Sequence, residues 1–198
     1  MTTPPPARPW KLIILGSVLA WVLYLAFFGP KIPTGGDLSA PRLDSPNAIR
    51  EANFAWKLQD LGGETVELSK FRGKTIFLNI WATWCPPCVA EMPSIANLAG
   101  NSRLKDVAFV CVSTDDSAEP VRTFLRDKHW PMTILRATDM PDVFATEGIP
   151  ATFIIAPDGR VVSSDVGSAE WDNPSVVDFL EKLTKLQTKA EPSPKTAG

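Results

Sequence analysis

The segment Trp84-Cys85-Pro86-Pro87-Cys88 constrains this chain more than any other. A strand-like apolar run, Thr75 to Trp81, leads into it, and a helix-like run from Pro86 to about Ala99 leads out. Two cysteines separated by two residues at such a junction can close a small reversible disulfide. Cys85 would then stand at a helix N-terminus, where unpaired backbone amides and the helix dipole favour negative charge. A thiolate is the species that attacks disulfides, and this position lowers a cysteine pKa. Strand, Cys-x-x-Cys and helix together predict redox chemistry.

Other uses of the pair fit less well. Zinc would need two further ligands, and only Cys111 and His129 remain, neither in a second paired knuckle. Haem attachment needs histidine directly after the second cysteine, where Val89 stands. A purely structural disulfide closing so short a loop would remove little unfolded-state entropy. Cys111 lies in Val107-Ala108-Phe109-Val110-Cys111-Val112, a buried-strand pattern, and reads as a small hydrophobe rather than a redox sensor. His129 precedes Trp130-Pro131 and reads as a loop or capping residue. A formal net charge of -2 gives no footprint for nucleic acid.

Leu12 to Phe28 is an unbroken uncharged run, slightly short of a hydrocarbon core of roughly 30 Å, with Trp10 and Lys31 at its ends. Ala26-Phe27-Phe28-Gly29-Pro30 lacks a small-residue cleavage pattern, so an uncleaved signal anchor is expected. The chain therefore divides into a cytoplasmic tail (1–11), a transmembrane helix (12–28), a Pro/Gly-rich stalk (29–50), one domain (51–186) and a disordered tail (187–198). A tethered Cys-x-x-Cys makes most sense where disulfides form. The expected location is a membrane, single-pass, with the domain on the outer, periplasm-like or extracytoplasmic face.

Within the domain, Phe54–Leu58 and Glu64–Leu68 flank Gly62-Gly63 and predict a hairpin. Strand 75–81, helix 86–99, strand 107–112, helix 119–128 and a short strand 132–135 follow, then a short helix over 139–147. Strands 151–155 and 160–164 flank the turn Pro157-Asp158-Gly159, and a last helix runs over about 174–186. The expected class is α/β, a mixed sheet with helices on both faces.

The run Phe77-Leu78-Asn79-Ile80-Trp81-Ala82-Thr83-Trp84-Cys85-Pro86-Pro87-Cys88-Val89-Ala90-Glu91-Met92-Pro93 resembles the active-site segment of the TlpA/ResA/DsbE group, membrane-anchored thiol–disulfide oxidoreductases of thioredoxin-like fold. The hairpin with Leu68–Lys74 is similar to that group's N-terminal addition, residues 119–136 to its core insertion, and Gly148-Ile149-Pro150-Ala151-Thr152-Phe153 to its cis-proline loop. The resemblance implies that Cys85 is the exposed attacking thiol and Cys88 the resolving one. Pro150 would face the disulfide in cis, with the Ile149 backbone pairing with client. Pro93 would bend the active-site helix, as loss of its amide implies in any case.

Glu91 matches an acidic residue behind the cysteines. From sequence alone it is either a solvated helix residue or a partly buried group exchanging a proton with Cys88. Trp84 is either core or an apolar contact for client beside Cys85. Pro86 begins the helix and restricts the loop.

The resemblance also implies that no cofactor is bound, the redox group being the Cys85–Cys88 pair. Clients would be protein disulfides, such as apocytochrome c or copper-assembly proteins, and a membrane electron donor would re-reduce the pair. The domain is expected to be monomeric. Two other functions compete. A peroxiredoxin-like peroxidase would want proline at Leu78 and threonine at Ala82. A non-catalytic anchored binding module would not need both cysteines.

Overall fold

Ile76 to Trp81 is buried along its whole length, as an apolar strand covered on two faces must be. The sheet is built outward from it. The computed structural model describes residues 50–190, with side chains to 185. The expected cytoplasmic tail, the span 12–28, the stalk through residue 49 and the end of the chain after Ala190 lie outside the described residues. Among the described residues no helix is long and apolar enough to cross a membrane.

The strands are β1 (Arg50–Glu51), β2 (Lys57–Gln59), β3 (Thr65–Glu67), β4 (Ile76–Trp81), β5 (Ala108–Ser113), β6 (Thr133–Ala137), β7 (Ala151–Ile155) and β8 (Arg160–Val166). The α-helices are α1 (Pro86–Ala99), α2 (Ala118–Leu125) and α3 (Pro174–Ala190), with short 3-10 helices at Leu68–Phe71 and Ser102–Leu104. One sheet runs β1-β8-β7-β4-β5-β6-β2-β3. β4, β5 and β6 are mutually parallel; on the other side of β4, β7 runs antiparallel to it and β8 antiparallel to β7. Segment α2–β6 follows β5, and β6 joins the β2–β3 hairpin to the sheet.

Side chains alternate across β4 and β5 and divide the interior in two. Phe77, Trp81, Phe109 and Cys111 pack with Met92 and Ile95 of α1, Val121 of α2 and Val176 and Leu180 of α3. Ile76, Leu78, Ile80, Val110 and Val112 face Trp56, Leu58, Leu68, Phe71 and Phe144. The expectation of helices on both faces is thereby corrected. The three α-helices of the described residues all serve the first core, and the second is closed by the N-terminal segment with its 3-10 turn and by the 139–147 segment.

That last segment is not the predicted helix. Its bonds, Phe144 N to Pro141 O at 2.9 Å and Ala145 N to Asp142 O at 3.3 Å, are isolated turns. Phe144 is fully buried between Trp56 and Phe153, with ring centroids 5.2 Å from each, so aromatic packing fixes the segment where helix hydrogen bonding does not. The hairpin is also shorter than predicted. Phe54 lies in a turn and packs beside Gly159, and Leu68 opens the 3-10 helix.

Candidate redox site

The end of β4 delivers the chain to α1 through Ala82–Trp84, and Asp115 fixes this approach. Its buried carboxylate accepts from Thr83 N at 3.0 Å, Thr83 Oγ1 at 2.6 Å and Ser113 Oγ at 2.6 Å. Asp115 follows β5, parallel to β4, so the pairing of these strands places the anchor beside the active loop.

Cys85 is the N-cap of α1, with extended backbone, and its sulfur accepts from Cys88 N at 3.3 Å. Pro86 and Pro87 occupy first-turn positions, where a missing amide costs nothing. Cys85 and Cys88 form a disulfide, and Cys111 is the free cysteine. An amide aimed at the Cys85 sulfur is the arrangement that stabilises a thiolate once the bond is opened. Burial pushes the Cys111 thiol far up, so it stays protonated and inert.

Cys85 is not the exposed thiol expected. It is 4% accessible and Cys88 is fully buried. The Ile149–Pro150 loop lies over it: the peptide bond is cis, Pro150 is buried, and the Ile149 carbonyl oxygen sits 3.8 Å from the Cys85 sulfur. Gly167 N donates to Pro150 O at 2.8 Å, tying the loop to the end of β8. Trp84, by contrast, is 66% exposed beside the disulfide, and Pro86 is exposed as well.

Glu91 is fully buried, which excludes the solvated reading. It lies one helical turn beyond Cys88. Oε1 accepts from Asn79 Nδ2 at 2.8 Å, and Oε2 accepts from Ala169 N at 3.0 Å and from Trp171 Nε1 at 2.9 Å. Burial pushes its carboxyl up from 4.5 to about 7. The hydrogen bonds from Trp171, Ala169 and Asn79 pull the other way, and the Asp165 charge adds a further upward push. Pro93 stands within α1, and Ser94 Oγ donates to the Glu91 carbonyl at 2.8 Å while accepting from Trp171 N at 3.1 Å.

The structure thus gathers Trp84, Cys85, Pro86, Cys88, Ile149 and Pro150 at one end of the sheet, with Glu91 beneath. His129 is exposed on the segment after α2. Sequence reasoning missed Asp115, Asn79, Thr152, Ala169 and Trp171. Only Asn79 left a signal, as the sole polar residue of an otherwise apolar strand.

A Cys-x-x-Cys disulfide at a helix N-terminus, under a cis-proline loop and past the end of a central strand of a mixed sheet, defines a thiol–disulfide oxidoreductase of thioredoxin-like fold. Comparison with known proteins narrows this. The Redoxin family model matches residues 39–180. The thiol-disulfide oxidoreductase ResA of Bacillus cereus is 30% identical over 175 residues, covering 87% of this chain and 92% of the relative. ResA of Bacillus subtilis is 30% identical over 163 residues, covering 81% and 84%. In fold the chain resembles a secreted Mycobacterium tuberculosis disulfide oxidoreductase homologous to E. coli DsbE, with TM-score 0.51, 22% identity, and coverage of 67% of this chain and 96% of that one. The chain belongs to the Redoxin family, and within it is a thiol–disulfide oxidoreductase of the ResA type.

Proposed function

We propose that the protein reduces protein disulfides on the outer side of a bacterial inner membrane, held there by the segment 12–28, with no bound cofactor. The Cys85 thiolate attacks a client disulfide, forming a mixed disulfide and releasing one client thiolate, which takes a proton. The Cys88 thiol then passes its proton to Glu91 and attacks the Cys85 sulfur. The second client thiolate leaves and is protonated, and the Cys85–Cys88 disulfide remains. Two electrons pass to the client, and a membrane dithiol donor must return them.

The observation that carries this division of labour is the environment of the two sulfurs. Cys85 has the helix N-terminal amide that favours a thiolate, whereas Cys88 is fully buried, has no such position, and needs a base. Glu91, half-protonated near pH 7, suits that task. Trp84 and Pro86 would give apolar contact to the client, and the Ile149 backbone would pair with its extended chain beside Pro150. Resemblance to the TlpA/ResA/DsbE group suggests clients in cytochrome c maturation or in assembly of oxidase copper sites.

Two experiments in the native cell test this. Cys88→Ser should arrest the reaction at the mixed disulfide and retain clients on Cys85, identifiable after purification. Thiol alkylation of the wild-type protein in cells should find the pair mostly as dithiol, as a reductase supplied with electrons must be. A pair found mostly oxidised would refute the reductive direction.

A further inference from the structure

The two carboxyl oxygens of Glu91 are not equivalent. Oε2 accepts from Ala169 N and Trp171 Nε1, and neither donor can reverse, since a backbone amide and an indole offer only N–H. Oε1 accepts one bond, from Asn79 Nδ2. Asn79 differs from the other two partners, because a half-turn of its amide puts an acceptor where a donor stood. Its Nδ2 makes both of its bonds, to Glu91 Oε1 and to Thr152 Oγ1 at 2.9 Å, while its buried Oδ1 has no hydrogen-bond partner. The Thr152 hydroxyl can likewise donate or accept.

We propose that Glu91 carries its exchangeable proton on Oε1, and that Asn79 is the positioning residue that serves both protonation states by turning its side-chain amide. This deepens the role given to Glu91 above and rests on it. With Glu91 ionised, Asn79 Nδ2 points inward and donates to Oε1 and Thr152. When the Cys88 proton arrives, a new O–H bond forms at Oε1, and its hydrogen needs an acceptor that Nδ2 cannot provide. The amide turns, and Oδ1 accepts from both Oε1–H and the Thr152 hydroxyl. Ala169 and Trp171 hold Oε2 throughout, so the carboxyl stays in place while its proton comes and goes. Three titratable groups on the surrounding elements bear on this: Cys88 one turn earlier on α1, Asp165 on β8, whose charge opposes ionisation, and Cys111 on β5, which burial keeps a thiol.

The test uses the reduced full chain in detergent micelles, carrying 15N in asparagine side chains and tryptophan indoles and 13C in glutamate carboxyls. Over a titration from about pH 5 to 9, bracketing the Glu91 transition, the Asn79 amide resonances should move with the same midpoint as the Glu91 carboxyl. The Trp171 indole N–H should keep a hydrogen-bonded shift on both sides of that midpoint. An indole that loses its hydrogen-bonded shift as Glu91 protonates would place the proton on Oε2 and overturn the proposal, and so would an Asn79 amide that does not titrate. As a second line, Asn79→Leu should raise the Glu91 proton-binding constant about tenfold by removing a donor to the charged form. An unchanged constant in the folded variant would also overturn it. Failure of Glu91 to exchange protons with Cys88 is read separately, as wild-type exchange rates in Glu91→Gln at every pH, and leaves the titration of Asn79 in the wild type intact.

Discussion

Glu91→Gln should stabilise the protein increasingly as pH rises. The carboxyl is fully buried and its pKa is raised from 4.5 to about 7 in the folded state. Between those values the folded protein binds more protons at this site than the unfolded chain, so stability falls with rising pH. The stability tied to Glu91 is complete below about pH 4.5, is lost through about pH 7, and is level above. A rise of about 2.5 pH units at about 1.36 kcal/mol each amounts to about 3 kcal/mol. The neutral amide has no such dependence. Its carbonyl can still accept from Trp171 and Ala169, and a turned Asn79 can accept from its NH2 through the Oδ1 that now lacks a partner. Urea unfolding of both oxidised proteins in steps from about pH 4 to 8 measures the effect, and titrations common to both cancel in the difference. The gap should shift by about 3 kcal/mol in favour of the variant. Parallel stability curves would refute the raised pKa and, with it, the supply of a base to Cys88 near neutral pH.

Trp84→Ala should change stability by less than about 0.5 kcal/mol, because the ring is mostly solvated, yet should slow exchange with a protein disulfide far more than with a small one. Asp115→Ala should cost about 2–3 kcal/mol in denaturant unfolding, by orphaning the Thr83 amide and hydroxyl, and should slow exchange as the approach to Cys85 loosens. Gly159→Ala should lower stability by about 1–3 kcal/mol without altering exchange rates: the residue has φ +93°, and an added Cβ would lie 2.9 Å from Phe54 Cε2.

The parts of the fold legible in the sequence were those set by local signals. Helix α1 begins at Pro86 and ends at Ala99 as predicted, since the cysteine cap, the first-turn prolines and Gly100 all act within a few residues. β7 likewise matches its apolar run, bounded by Pro150 and Pro157. Segment 139–147 was misread because its polar and apolar pattern fits a helix, whereas Phe144 is committed to Trp56 and Phe153 at distant positions. Glu91 shows the same limit at the site. Its spacing placed it in line with Ile95 and Leu98, but a carboxylate on that line is tolerable only with partners, and those come from Asn79, Ala169 and Trp171 on other elements. The recessed position of Cys85 also depends on a distant segment, the loop at Ile149, and no feature of the motif discloses it.

Cys111 gives the chain an unambiguous electron count. Three cysteines could close more than one pair, and a reactive third thiol beside an exchanging disulfide would let the molecule trap itself in a wrong isomer. Cys111 sits in the middle of β5 with no accessible surface and a thiol that burial keeps from ionising. It can neither intercept a mixed disulfide nor capture Cys88 while the fold holds. The native protein is therefore a pure two-electron couple, and Cys111 stays unmodified when thiols are alkylated without denaturant. An alkylated Cys111 would report unfolding rather than redox state.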